Sequence, residues 1–428
     1  MKSRTNENKK TRSLQQTYPR PVFLVLYSAL ILALAILLST RALPRLSRLA
    51  SHFHPSSLPT TSPPFSLPSR NTSTAMSSYT KELEIAQLAV QRAAILTKRV
   101  FHEKAKGTVS KDDKSPVTIG DFGAQALIIA ALKHNFPEDE IVAEEEAAQL
   151  RDDANLRATI WDLVKSTSLS DAGAEAALGG AIKSEDDMLT FIDYGNSKGG
   201  ASGRIWAIDP IDGTKGFLRG GQYAVCLALM VDGDVKVGVL GCPNLPVDDA
   251  APLSGSMESG QTDEGRGCLF SGVLGQGAVS RPLTTGTLAS SQKISMKAIR
   301  DIAAATFCES VEAGHSSHSE QAEIAMKLGI TNPSVRMDSQ AKYASIARGA
   351  GDIYLRLPVS ATYQEKIWDH AAGDLIVREA GGAVTDIHGK RLDFSIGRTL
   401  ANNKGVVAAP ASGHGRVLAV VQDVLGIE

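Results

Sequence analysis

Apolar positions along the chain alternate between helical and strand-like spacing, and most regular elements can be read from that pattern. Leu83, Ala86, Leu88, Val90, Ala93, Leu96 and Val100 share one face of a long amphipathic helix. A second helix is predicted from Phe122 to His134, with Ala124, Leu127, Ile128 and Leu132 on its apolar face and Asp121 as an N-cap. Ile141-Val142-Ala143 reads as a short buried strand running into Glu144-Glu145-Glu146. Ser184 to Ser202 is polar and Gly-rich, and reads as a loop. Ile205 to Ile208 is a further apolar strand. Gln222–Val231 and Val235–Gly241 are strands joined at Asp232-Gly233, a strong hairpin signal. Pro246 to Arg266 reads as a loop, and Cys268 to Leu274 opens a further hairpin. A polar connection over Pro282 to Gln292 marks a domain boundary. Beyond it, helical and extended pieces alternate: Met296–Ala304, Ser319–Leu328, Gln340–Arg348, Ile353–Leu357, Ala371–Ala380 and Val417–Leu425. Two domains follow: an α+β unit over 77–285 and an α/β unit over 286–428.

Composition changes this picture only at the N-terminus. The 428 residues are 43% hydrophobic and 21% charged, with a formal net charge of −1. No global field points to nucleic acid or lipid, so any phosphate affinity must be local. Cys226, Cys242, Cys268 and Cys308 lack metal-ligand spacing, and three lie in strand-like apolar runs, where a buried free thiol is the default. That usage favours a reducing compartment. Residues 1–75 differ: Glu7 stands as the one acid against ten Lys or Arg. Val22 to Leu38 is a largely apolar run of 17 residues, at the short end of what spans a bilayer. Three readings stay open for this extension. They are a single membrane anchor at 22–38, a targeting segment, and a product that starts at Met76. Without an anchor, cytoplasm or mitochondrion is expected. Ser51 to Ser73, rich in Pro, Ser and Thr, reads as a linker and contains the sequon Asn71-Thr72-Ser73.

Two stretches carry candidate chemistry. In Trp206-Ala-Ile-Asp209-Pro210-Ile211-Asp212-Gly213-Thr214, a strand delivers two carboxylates three positions apart, stiffened by a proline. Hard divalent cations such as Mg²⁺ take oxygen ligands of this kind, and the Gly-Thr turn offers N–H groups and a hydroxyl to a phosphate. In Ile367-Trp368-Asp369-His370-Ala371-Ala372-Gly373, an acid stands ahead of a helix whose first turn is small enough for close approach. Asp369 is thus a candidate third carboxylate for a two-metal cluster. Arg356 is a candidate phosphate partner. Arg356 lies inside an apolar run, where an unpaired charge is expensive, which favours an anionic partner.

Together, Asp209-Pro-Ile-Asp212-Gly-Thr214 and Trp368-Asp369-His-Ala-Ala-Gly373 resemble the two signatures of the lithium-sensitive, Mg²⁺-dependent phosphatases of the inositol monophosphatase superfamily. Glu144-Glu145 stands where its third element is expected. The resemblance runs from about Ser77 to the C-terminus. Several segments are more closely similar to the 3′(2′),5′-bisphosphate nucleotidases of fungi and plants. These are Ser115-Pro-Val-Thr-Ile-Gly-Asp121, Asp212-Gly-Thr-Lys-Gly-Phe-Leu-Arg219, Gly314-His315-Ser-Ser-His318, Asp338-Ser339-Gln-Ala-Lys342-Tyr343 and Tyr354-Leu-Arg356-Leu-Pro. The resemblance implies a layered αβαβα sugar-phosphatase-like fold of two domains. It also implies Mg²⁺ held by Glu144, Asp209, Asp212, Asp369 and the Ile211 carbonyl. Asp121 and Thr214 match the pair that orients or deprotonates the attacking water, with Thr214 bonded to Asp121. Thr214, His315, Ser339, Lys342 and Arg356 match substrate-binding positions. The implied reaction is hydrolysis of the 3′-phosphate of adenosine 3′,5′-bisphosphate to AMP, with 3′-phosphoadenylyl sulfate as a further substrate. The implied role is in sulfur assimilation and salt tolerance. An inositol (poly)phosphate phosphatase is the alternative, and a monomer is expected.

Overall fold

A computed structural model describes residues 78–102, 108–110, 116–251, 253–254, 264–360 and 362–427. The apolar segment 22–38, the 51–73 linker and Met76 lie outside the described residues, as does Ser115. Residues from Ala75 onward form one compact unit.

In chain order the elements begin with α1 (Thr80–His102), β1 (Thr108–Ser110), β2 (Pro116–Thr118), α2 (Ile119–Asn135) and β3 (Glu140–Ala143). Four helices follow: α3 (Ala148–Asp152), α4 (Ala154–Lys165), α5 (Ala172–Ala177) and α6 (Glu185–Asp193). Next come β4 (Arg204–Asp212), α7 (Thr214–Arg219), β5 (Ala224–Val231), β6 (Asp234–Pro246), β7 (Arg266–Val273), β8 (Gly277–Pro282) and β9 (Gln292–Ile294). The remainder is β10 (Phe307–Glu309), α8 (His318–Leu328), β11 (Val335–Arg336), α9 (Ala341–Ala347), β12 (Ile353–Arg356), α10 (Ala371–Glu379), β13 (Gly382–Thr385), β14 (Val406–Pro410) and α11 (Ala411–Leu425). Short 3₁₀ turns lie at Ile302–Ala304 and Ile367–Asp369.

Among the described residues, β3 to β9 form a seven-stranded sheet in sequence order, with β3 parallel to β4 and the rest antiparallel. A five-stranded sheet has the order β11-β10-β12-β14-β13. Helices α1 and α2 cover one face of the larger sheet, and α9 and α10 lie between the two sheets. Helices α8 and α11 cover the far face of the smaller one. This is the expected αβαβα layering. It explains why β4 and β5 read as unbroken apolar runs: both faces of the larger sheet are covered, so neither can be polar. The central layer packs Ala372, Leu375 and Ile376 of α10 with Cys226, Ala228 and Phe270 of one sheet and Tyr354 and Ala408 of the other. Burying each larger apolar side chain contributes about 1.5–3 kcal/mol.

Several sequence readings differ from the fold. The stretch 184–202 is not wholly a loop, because α6 runs through it. Ser184 Oγ accepts from the Asp187 N–H at 3.1 Å, acids fill the first turn, and Met188, Leu189 and Ile192 are buried at helical spacing. Helix α2 begins at Ile119, so Asp121 is not its N-cap but sits buried inside its first turn. Met296–Ala304 holds only the 3₁₀ turn, because Met296 donates to the Ala380 carbonyl at 2.8 Å and so runs on from β9 beside α10. Strand β9 still pairs with β8, beyond the polar connection where the sequence changes character.

Candidate active site

Strand β4 positions the Asp209–Asp212 segment. At its entry Asp139 accepts from Arg204 Nε at 2.9 Å and from the Trp206 indole N–H at 2.8 Å, which anchors the strand. At its exit the register with β5 slips between Asp209 and Asp212. A bulge of this kind re-aims side chains and tolerates Pro210, which has no N–H for the ladder. Gly213 then takes a left-handed φ of 88°. A Cβ there would lie 3.0 Å from the Cβ of Ser339, so glycine also permits the close approach of the 338–340 turn.

Glu144, Asp209, Ile211, Asp212, Thr214 and Asp369 line one cavity of about 360 Å³. His315, Ser339, Lys342 and Arg356 line the same cavity, so ten of the eleven residues singled out from the sequence meet there. Asp121 does not line this cavity; it is buried, with its charge acting on Asp209.

The acids are held under electrostatic tension. Burial, then repulsion from Glu144, Asp212, Asp369 and Asp121, pushes the Asp209 carboxyl well above its usual range. Its Oδ1 atom is buried without a hydrogen-bond partner. Burial lifts Asp212 to about 6, a rise limited by Lys342, the Gln340 N–H and Arg356. Burial and Asp212 together lift Asp369 to about 7. A positive charge among these acids would relieve their repulsion, and their oxygen donors suit a hard divalent cation. The residues present therefore fit Mg²⁺.

The basic side is organised differently from the sequence expectation. Arg356 is not an unpaired charge awaiting an anion: its Nε lies 2.7 Å from Glu365 Oε2. The same carboxylate faces His370 Nε2 at 3.3 Å, and His370 Nδ1 meets the Tyr343 hydroxyl at 2.9 Å. The guanidinium, with the His370 contacts, pulls Glu365 down to about 2 against the opposing effect of burial. Ligand atoms of Glu365, Asp369 and His370 come within 4.8 Å of one another. Glu365 is nevertheless committed to Arg356, whose charge would repel a cation at that spot. Lys342 is buried, donates to the carbonyls of Ser339 (2.9 Å) and Met337 (3.2 Å), and is lowered by burial to about 8. His315 is lowered to about 4 by burial and by the cations Arg356, Lys342 and Lys215, so its ring is neutral at pH 7.

The Thr214 hydroxyl donates to the Ile211 carbonyl at 3.2 Å, whereas the family resemblance implies a bond to Asp121. Residues that sequence reasoning did not assign include Gln340, Tyr343, Glu365 and Arg398. Arg398 donates to the carbonyl of Ala143 at 2.6 Å, next to Glu144, and lies 4.9 Å over the Trp368 ring. For Glu365 a signal existed, since an arginine in an apolar strand requires an acid. Which acid supplies it depends on how the chain folds back.

A model of the inositol monophosphatase family matches residues 79–425. The 3′(2′),5′-bisphosphate nucleotidase of Emericella nidulans is 68% identical over 349 residues, covering 81% of this chain and 99% of the relative. The enzyme of the same name from Schizosaccharomyces pombe is 49% identical, covering 78% and 92%. Among solved structures, Thermotoga maritima IMPase aligns with a TM-score of 0.51 at 19% identity, over 81% of this chain and 98% of that one. Extragenic suppressor protein SuhB from Bartonella henselae aligns with a TM-score of 0.51 at 19% identity, over 79% and 97%. These two likenesses speak for the fold. With this fold, this acid cluster and a family match over most of its length, the chain belongs to the inositol monophosphatase family, alongside relatives named 3′(2′),5′-bisphosphate nucleotidases.

Proposed function

We propose that the chain is a 3′(2′),5′-bisphosphate nucleotidase that hydrolyses adenosine 3′,5′-bisphosphate to AMP and phosphate, with 3′-phosphoadenylyl sulfate as a second substrate. The observation that carries this reading is the single cavity shared by a carboxylate cluster and buried cations. A substrate with two phosphates needs both: one place where a phosphoryl group reacts and another where a second phosphate is held.

Glu144, Asp209, Asp212, Asp369 and the Ile211 carbonyl would hold Mg²⁺, whose bound form neutralises phosphate charge and lowers the pKa of water. Asp121 and Thr214 orient the attacking water, and the Thr214 hydroxyl turns from the Ile211 carbonyl to take the water's proton as it gives its own to the Asp121 carboxylate. Lys342 and Arg356 bind the phosphate that is not transferred. Glu365 holds one edge of the Arg356 guanidinium and leaves its other N–H groups to make a fork toward phosphate. Neutral His315 offers a ring to the nucleoside and no charge. Ser339 keeps its hydroxyl proton for substrate while its oxygen accepts from the Ala341 N–H at 3.1 Å. Water attacks phosphorus directly, so no phosphoenzyme forms. Inhibition by Li⁺, action as a monomer, and the two-domain division at 285/286 belong to the same reading. A membrane anchor at 22–38 also remains a proposal: no helix among the described residues is long and apolar enough to cross a membrane.

The test compares phosphate release from adenosine 3′,5′-bisphosphate and from inositol monophosphate in Mg²⁺, for the unaltered chain and Arg356→Ala. Losing a hydrogen bond to a charged group, at about 1.5–3 kcal/mol, is expected to raise KM for the nucleotide about 10–150-fold. A variant that keeps nucleotide turnover and loses inositol phosphate turnover would reverse the substrate assignment.

A further inference from the structure

The turn at Ser339-Gln340 touches both acid-bearing segments. Ser339 has a left-handed φ of 68°, unusual for a residue with a Cβ. That backbone turns the Gln340 N–H onto Asp212 Oδ2, to which it donates a hydrogen bond. The Gln340 side chain reaches the other way. Its Nε2 donates to the Trp368 carbonyl at 2.8 Å, and its Oε1 accepts from the Gly373 N–H at 2.9 Å. Trp368 directly precedes Asp369, and Gly373 lies in the first turn of α10. Gln340 is 2% exposed, so no bulk water stands ready to replace these bonds.

One residue thus ties the end of β4 to the Ile367–Asp369 turn, elements that come from distant parts of the chain. The two segments also pack against each other, while Asp212 and Asp369 repel each other. A repulsive pair relaxes by moving apart unless something rigid opposes it. An amide is suited to this task because it donates and accepts at once and carries no charge of its own. A carboxylate at 340 would add another negative charge to the cluster, and an ammonium would compete for the acids.

We infer that Gln340 is a positioning residue that sets the separation of Asp212 from Asp369, and through it the affinity of the acid cluster for a divalent cation. The inference rests on the function proposed above. Because Ser339 and Lys342 flank Gln340 on the same turn and helix, the cation subsite and the phosphate subsite share one mechanical support.

The test uses the full chain and Gln340→Met, which keeps the volume and removes both side-chain bonds. Binding of MgCl₂ alone is measured by calorimetry, and Mg²⁺ dependence, kcat and KM are measured by phosphate release from adenosine 3′,5′-bisphosphate. The expected result is a dissociation constant for Mg²⁺ raised about tenfold, as for loss of roughly 1.4 kcal/mol. At fixed Mg²⁺, kcat falls and recovers toward the unaltered value at high Mg²⁺, while KM for the nucleotide stays within about twofold. Gln340→Asn keeps the amide but cannot reach both partners at once. It is expected to show the same shift, and it serves if the methionine variant does not fold. A folded variant with unchanged Mg²⁺ affinity would overturn the role of Gln340. An unaltered chain that neither binds Mg²⁺ nor releases phosphate would instead overturn the proposed function.

Discussion

Asp212 at about 6 and Asp369 at about 7 both stand above the ordinary aspartate value of 3.8. Without a metal, the folded chain therefore binds more protons at these two aspartates than the unfolded chain between about pH 4 and pH 7, and with the raised Asp209 they outweigh the lowered His315, which acts in the opposite sense. The sign follows directly: stability of the metal-free protein falls as pH rises through that window, the reverse of a salt-bridged aspartate. Thermal unfolding in a chelator is expected to show a lower Tm at about pH 7.5 than at about pH 5. Added Mg²⁺ is expected to raise Tm more at the higher pH, where protons no longer compete for the carboxylates. A Tm that climbs with pH in the chelator would mean that the acids are not strained. The identities of Asp209, Asp212, Asp369, Lys342 and Arg356 were legible at this scale, because short motifs place them. Their partners were not. Glu365 and Gln340 matter through contacts with Arg356, Asp212 and Trp368, and nothing local in the sequence announces those contacts.

Most elements followed from periodicity, since apolar spacing reports which face is buried. The failures have local causes. Helix α6 hides in a polar stretch because its signal is a serine cap and three acids rather than a long apolar stripe. The 296–304 segment has helical composition, but Met296 is bonded to the Ala380 carbonyl and only Ile302–Ala304 turns, as a 3₁₀ helix. Packing between elements is testable at Gly238 of β6, where α10 crosses the larger sheet. A Cβ at this position would lie 2.8 Å from the Ala372 carbonyl oxygen and 3.1 Å from its Cα, both backbone atoms that cannot swing aside. Gly238→Ala is expected to cost about 1–3 kcal/mol by overpacking, seen as a lower urea midpoint with the same slope. Moving α10 also moves Asp369 at its leading end, so kcat is expected to fall with the midpoint. An alanine variant of unchanged stability would show that the helix has room to shift.

For the whole molecule, the family match begins at residue 79, and the Emericella nidulans relative is covered over 99% of its own length by 81% of this chain. A chain that starts at Met76 is accordingly expected to fold and to keep kcat and KM within about twofold, measured by phosphate release. Loss of activity on truncation would give the N-terminal 75 residues a direct part in the site. Fractionating cells that carry a C-terminal tag would decide between the readings of 22–38. By itself, the sequence determined most of the elements and the acid-bearing segments, because apolar spacing and short motifs are encoded within a few residues, and its resemblance to the inositol monophosphatase superfamily implied the layered fold. Only the tertiary structure decided how the charges are balanced. It joined Arg356 to Glu365, bound Gln340 to both acid segments, and left Asp209 Oδ1 without a partner. The physical reason is that charge balance in a buried site is a sum over neighbours brought together by folding, and spacing along the chain does not say which neighbours those are.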